Sequence, residues 1–210
     1  VANSDRRLQT GTAITLNSST LRLLGDGGAE VISSQTMGAL GYAGGSTVSV
    51  ETDGTTAWRV TTLTVDTLNR IDTGTLNIRN IANTATTFGT AAGTQKLLIN
   101  SFAPTPTNGM IGANIVLWGG ANATDAGTPL FATYDATNGI QAATTVSITN
   151  AATLAAATTG QIGSLNGAAA FTVTGSPSLQ ALNIRSTANT NTVSGGTITL
   201  GSIAAPGQGA

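Results

Sequence analysis

Glu51 stands two residues before Asp53, with Arg59 and Asp66 further along the chain. Paired carboxylates can pass protons in acid–base catalysis or share a calcium ion. Gathered with Arg on one face of stacked strands, they would suit binding or cleavage of a polysaccharide. The simpler reading has Asp53 turning the chain before Gly54, with the other acids solvated on an outer face. The chain has no His and one Lys, Lys96, so convergent polar groups are scarce. Glu51, Asp53 and Asp66 therefore stand as a weak acidic cluster, and no residue is assigned a catalytic role.

Other constellations resolve in the same way. Gly25-Asp-Gly-Gly28 is glycine-rich, but a phosphate cradle needs a helix to open after the loop, and none is predicted, so it reads as a turn. Lys96 and Asn100 bring an isopeptide cross-link to mind, but no buried carboxylate can be matched to them. The chain has eight aromatic residues (2 Trp, 2 Tyr, 4 Phe), too few to line a sugar groove; Trp118 reads as core or corner packing. Asn17-Ser-Ser19 and Asn122-Ala-Thr124 match a glycosylation pattern that is common by chance. Cys and His are both absent. Zinc, haem and iron–sulfur ligation by them is excluded, and no metal or cofactor is expected.

Composition bounds the classes further. Charged residues make up 8% of the 210 positions, against about 25% in ordinary soluble domains. Net charge is −1, with no basic stripe to neutralise phosphates, so nucleic-acid binding is not expected. No apolar run approaches the ~20 residues of a membrane helix, and no membrane insertion is expected. The sequence holds 39 Thr, 32 Ala and 27 Gly, which favours pleated strands and tight turns over long helices. The Ala-rich stretches, such as residues 151–159, are cut by Thr and Gly, which weaken helices.

The elements that must position any site are short strands. Apolar residues fall two apart in residues 13–16, 20–24, 47–51, 63–65, 75–79, 96–100, 113–117, 144–149, 170–173, 179–185 and 196–200. Period two gives one inward and one outward face. Turn clusters such as Gly44-Gly-Ser46, Asn138-Gly139 and Gly195-Gly196 separate them, and Asn-Gly also signals a hairpin. Residues 101–109, with Pro104 and Pro106, read as a loop excursion from a body spanning 12–205. Residues 1–11 and 206–210 read as connecting ends.

One near-repeat organises the pattern. Thr75-Leu-Asn-Ile-Arg-Asn-Ile-Ala-Asn-Thr84 and Ala181-Leu-Asn-Ile-Arg-Ser-Thr-Ala-Asn-Thr190 share seven of ten positions, 106 residues apart. A strand–turn unit that recurs points to coils stacked on one another. At roughly 20–25 residues per coil, the copies lie about five coils apart and the chain makes about nine. Leu76 and Ile78 would then share an inner face with Leu182 and Ile184, and Arg79 and Arg185 would mark one outer side. Those arginines read as solubilising charges on a neutral rod or as a ligand stripe.

Gly11-Thr-Ala-Ile-Thr-Leu-Asn-Ser-Ser-Thr-Leu-Arg-Leu-Leu-Gly25 and Asn191-Thr-Val-Ser-Gly-Gly-Thr-Ile-Thr-Leu-Gly201 resemble the autotransporter-associated β-strand repeat. Val193 stands where that family often has an aromatic. The resemblance implies a right-handed parallel β-helix on a bacterial cell surface, often within a very large polypeptide. The chain ends Gly-Gln-Gly-Ala, unlike the aromatic-terminated strand of a translocator barrel, so autotransport itself is not expected.

The expected fold is thus all-β, a parallel β-helix of roughly nine coils, with a β-sandwich or pilin-like fold as the alternative. The expected role is structural: a non-catalytic extracellular segment of an adhesin, fibre or filament. Expected partners are neighbouring coils of a longer chain or other copies end to end, with glycans or other cell surfaces beyond them. A polysaccharide-binding or polysaccharide-degrading module and a strand-exchanging filament subunit are the competing readings.

Overall fold

The computed structural model describes residues 2–3, 8–25, 32–52, 60–79, 95–101, 104–118, 129–166, 170–185 and 192–201. The chain is all-β with mostly parallel sheets. Its first region contains three of them. A four-stranded sheet joins β1 (Ala2–Asn3), β4 (Ile32–Thr36), β7 (Val60–Val65) and β10 (Gln95–Ile99). A three-stranded sheet joins β2 (Ile14–Asn17), β5 (Leu40–Ala43) and β8 (Leu68–Arg70). A six-stranded sheet runs β3 (Thr20–Gly25), β6 (Gly45–Thr52), β9 (Thr75–Arg79), β11 (Ile115–Trp118), β12 (Pro129–Asp135) and β13 (Gly139–Ala142).

The chain visits these sheets in the same order three times, and β1 to β7 each pair in parallel with the strand three places on, while β9 pairs with β11. Ile14 lies beside Leu40 and Leu40 beside Leu68; Thr20 lies beside Thr47 and Gly45 beside Thr75. Each of these pairs is spaced more widely along the chain than the expected coil of roughly 20–25 residues. In-register pairing stacks like on like. Leu21, Val48, Ile78, Leu117 and Leu130 form one row across five strands. Val48 and Ile78 are fully buried and Leu117 nearly so. Each such side chain contributes on the order of 1.5–3 kcal/mol.

The parallel order ends at β11. The strand β12 pairs with it antiparallel and turns back through β13. Asn138-Gly139 lies in this hairpin, as its sequence signals; Asp135 pairs with Gly139, which adopts φ 78. A Cβ on Gly139 would sit 2.2 Å from the Leu97 carbonyl oxygen, so only glycine lets the hairpin lie this close to β10. Two tethers hold it there. The Tyr134 hydroxyl accepts from Ile99 N–H (3.1 Å) and donates to Ile99 C=O (3.0 Å). Lys96 Nζ donates to the Thr137 carbonyl (3.3 Å) and lies 3.5 Å from Asn138 Oδ1. At the end of the 101–109 stretch, Thr107 and Met110 exchange backbone hydrogen bonds around Asn108 and Gly109, both at positive φ.

A second region follows. β14 (Val146–Ile148), β15 (Ile162–Asn166) and β18 (Ala181–Arg185) form one parallel sheet. β16 (Ala170–Thr172) pairs with β19 (Thr192–Ser194), and β17 (Ser178–Leu179) with β20 (Thr199–Leu200), both parallel. Partners here sit closer along the chain than any in the first region's rounds: Val146 with Gly163, Ile162 with Ala181, Ala170 with Thr192, Ser178 with Thr199. The stretch read as one strand at 179–185 is two, in different sheets, broken at Gln180. The Ala-rich stretch forms one short helix, α1 (Ala151–Ala156), of six residues. Its N-cap supplies the reason. Asn150 Oδ1 accepts from Thr153 N–H, and Thr153 Oγ1 accepts from Asn150 N–H, which satisfies two orphan donors. Met110, Ala143, Ile162 and Ala181 bury together where the regions meet, with Phe131 against them.

The nine expected coils are not what the described strands give. They complete three rounds of three strands, begin a fourth with β10 and β11, leave the pattern in β12–β13, and resume for two rounds, β15–β17 and β18–β20. The near-repeat copies fall in different sheets, β9 inside the six-stranded sheet and β18 at an edge. The shared inner face is therefore corrected. Leu76 and Ile78 are fully buried in the first region, Leu182 packs half-buried in the second, and Ile184 is 58% exposed.

Candidate functional site

The strand β6 is buried on both faces. Ser46, Val48 and Val50 point inward; Ser49 and Glu51 lie on the opposite face, yet their exposures are 0% and 1%. Register explains the company they keep. Arg22 of β3 and Arg79 of β9 flank Ser49 on either side, and Trp118 of β11 is the next in the row. A carboxylate two residues beyond Ser49 is thus set beside a line of cations.

Arg22 grips that carboxylate with both arms of its fork. Its Nε donates to Glu51 Oε1 at 3.0 Å and its Nη2 to Oε2 at 2.6 Å. Ser49 Oγ donates to Oε1 at 2.5 Å. Burial pushes the Glu51 carboxyl up, but the hydrogen bonds from Arg22 and Ser49 and the charges of Arg22 and Arg79 outweigh it. The net effect holds the carboxyl below its ordinary value. The Arg22 side chain is 57% exposed while that of Glu51 is 1% exposed, so the pair closes the sheet face from its solvent side. The Arg79 guanidinium carbon lies 5.5 Å from the Trp118 ring centroid, within cation–π range. Trp118 Nε1 donates to Asn77 Oδ1 at 3.3 Å.

This geometry decides what Glu51 can do. A general acid must keep its proton near neutral pH. Glu51 is held ionised with three donors on its oxygens, so it acts as an anchor for Arg22 and Ser49. Asp66 follows β7 in the four-stranded sheet, where its Oδ1 accepts from Ser101 Oγ at 2.5 Å. The two acids therefore have separate partners in separate sheets. Asp53 and Arg59 lie outside the described residues, as do residues 26–28 of the glycine-rich turn, residues 122–124 and the side chain of Arg185. Among the described residues, no three of His, Cys, Asp and Glu group as a metal site.

Sequence reasoning found Glu51 and Arg79 but missed Arg22, Ser49, Trp118 and Asn77 as their neighbours. The signal was the first region's wider spacing: Leu24 pairs with Glu51 and Arg22 with Ser49 at one constant offset. Elsewhere a buried phenol, Tyr42 Oη, accepts from Asn114 Nδ2 at 2.6 Å. Burial raises its pKa against the opposing hydrogen bond from Asn114 and the charge of Arg70.

No family model, curated protein or solved structure matches this chain. Fold and site together define an all-β chain of mostly parallel sheets whose described acidic candidates are tied into side-chain hydrogen bonds.

Proposed function

We propose that the chain is a structural, extracellular segment of a bacterial surface adhesin, fibre or filament, wound as a right-handed parallel β-helix and free of catalysis. The observation that carries this reading is the in-register parallel pairing of β1 to β7, each with the strand three places on, through three sheets in turn. Right-handed winding is the hand that parallel crossovers adopt. The resemblance of residues 11–25 and 191–201 to autotransporter-associated β-strand repeats supports the surface location. The Arg22–Glu51 pair, with its carboxylate buried, supports a structural use of the charges, since it consumes the best-placed carboxylate. Solution scattering tests the shape: an elongated particle is expected, and a compact sphere would exclude the winding.

A glycan-binding module on the same fold is the second reading. The strip of Asn77, Arg79 and Trp118 on one sheet face favours it, because aromatic, amide and guanidinium groups in a row suit sugar hydroxyls and carboxylates. A glycan array decides between them. Binding that Trp118→Ala removes would establish the second reading, and silence across the array would leave the structural one.

A further inference from the structure

The outward face of the six-stranded sheet carries two chemically different rows. Thr20, Thr47 and Asn77 stand in register on β3, β6 and β9, and all three are exposed or half-exposed. Two residues further along the same strands, about 7 Å away, the register sets Arg22, Ser49 and Arg79 in line. Trp118 of β11 stands beside Arg79. The first row offers hydroxyl and amide groups, and the second offers cations.

The charge on the second row does not balance. Glu51 is 1% exposed and is taken up by the Arg22 fork and the Ser49 hydroxyl. Arg79 acts on it as a neighbouring charge and pairs with no carboxylate among the described residues. Two guanidiniums thus meet one buried anion, and both reach the surface: the Arg22 side chain is more than half exposed and Arg79 is exposed. Arg79 is also set in place. Its guanidinium carbon lies 5.5 Å from the Trp118 ring centroid, the indole N–H donates to Asn77 Oδ1, and Asn77 Nδ2 lies 3.5 Å from the Ser46 carbonyl oxygen. A guanidinium held against a fixed ring loses less freedom when it takes a ligand.

We propose that these two rows form a binding site for a linear acidic glycan, lying across the strands with a sugar carboxylate on Arg79 and ring hydroxyls on the row from Thr20 to Asn77. This rests on the glycan-binding reading above and names the class of sugar. A carboxylate is the planar group that an arginine fork takes in two parallel bonds. The hydroxyl row selects a sugar over an acidic peptide. A uronate ring carries hydroxyls beside its carboxylate, as the two rows require, whereas a run of acidic residues would meet one surplus cation.

The test is a binding titration of the full chain with a glucuronic acid oligomer and with the glucose oligomer of the same length and linkage. The two differ only in carrying a carboxylate or a CH2OH on each ring. The acidic oligomer is expected to bind about tenfold more tightly or better, with an affinity that falls as salt is raised. Arg79→Gln should weaken it by roughly tenfold, and Arg79→Lys by most of that, because a point charge does not reproduce the fork. Arg79 is exposed, so both variants should melt as the wild type does. Glu51→Gln supplies a change of opposite sign. It removes the buried anion and raises the charge of the site, so the acidic oligomer should bind more tightly. Equal affinity for the two oligomers would overturn the acidic class and leave the glycan reading standing, whereas binding of neither would overturn both. Polyglutamate bound as tightly as the acidic oligomer would overturn the choice of a sugar. Acidic binding undiminished in Arg79→Gln would overturn the placement of the site.

Discussion

Parallel strand partners lie far apart along the chain in the first region and closer together in the second. Ile14 reaches Leu40 and Gly45 reaches Thr75 in the one, while Val146 reaches Gly163 and Ala170 reaches Thr192 in the other. That difference sets how much each can bury. Among the described residues, the wider spacing goes with strands of up to eight residues and a cluster of seventeen buried side chains. The closer spacing goes with strands of two to five residues and a cluster of five. Apolar burial is the main favourable term in folding, so the first region should carry most of the stability. Termination adds to the contrast. A hairpin follows the first region's parallel order, while among the described residues of the second region Ile184 and Leu200 are the exposed large apolar side chains.

The near-repeat turns this contrast into an internal control. Ile78 and Ile184 occupy the same place in Leu-Asn-Ile-Arg, yet one is fully buried and the other 58% exposed. Ile78→Ala should cost about 2–5 kcal/mol, the range for a buried Ile that leaves a cavity. Ile184→Ala should cost under about 1 kcal/mol. Urea denaturation of both variants checks it. Equal losses would mean that β18 is covered as β9 is, and the contrast between the regions would fail.

The second largest effect is expected at Arg22. Arg22→Ala leaves the Glu51 carboxylate buried and stripped of its main partner; such losses reach several kcal/mol in deep interiors. Here the Arg22 side chain is more than half exposed, so about 1–3 kcal/mol is expected after allowing for screening. The pH dependence follows from the lowered carboxyl. Its stabilisation is fully present above the ordinary value near 4.5 and is lost as pH falls through the lower folded value. The wild type should therefore lose stability on acidification in part through Glu51, and Glu51→Gln should flatten that limb. An unchanged acid limb in Glu51→Gln would show that other carboxylates govern it.

Strand content was largely legible, because alternation alone marks an inward face. Residues 75–79 were read at both boundaries, and 20–24 to within one residue. The strands missed were of two kinds. Some lack clean alternation: Ile32–Thr36 is Ile-Ser-Ser-Gln-Thr, and its buried Ser33 and Gln35 are polar. Others, such as Ile162–Asn166, carry Gly or Ser where a side chain would show the period. The spacing of parallel partners was not legible because one interval between the near-repeat copies was divided by one repeat length, whereas partners lie further apart in the first region than in the second, with the antiparallel hairpin between them. The ion pair was hidden for the same reason: Arg22 and Glu51 become neighbours only once the register of β3 against β6 is known.

Tyr134→Phe probes the seal between the regions. The hydroxyl serves both the N–H and the C=O of Ile99, so one substitution unpairs two backbone groups on β10. A loss of about 1–2 kcal/mol is expected. Amide exchange at Ile99 should rise more than at Val48, which lies deep in the same region and away from the hairpin. Exchange that rises evenly across the first region would argue that the hairpin is part of one cooperative unit with it and does not act as a local closure.

The smallest effect belongs to α1, the one helix among the described residues. Asn150→Ala removes the oxygen that accepts from Thr153 N–H, at about 1 kcal/mol for an exposed cap. Thr153→Ala removes the reciprocal half, which serves Asn150 N–H. The two substitutions together should cost less than the sum of the singles, because each leaves the other half of one box without purpose. This helix packs Leu154 into the second region's small cluster, and a cluster of five has little redundancy. Loss of the cap should therefore lower the second region's melting while leaving the first region's unchanged. A single transition that shifts as a whole would mean that the cluster of Met110, Ala143, Ile162 and Ala181 couples the regions into one folding unit.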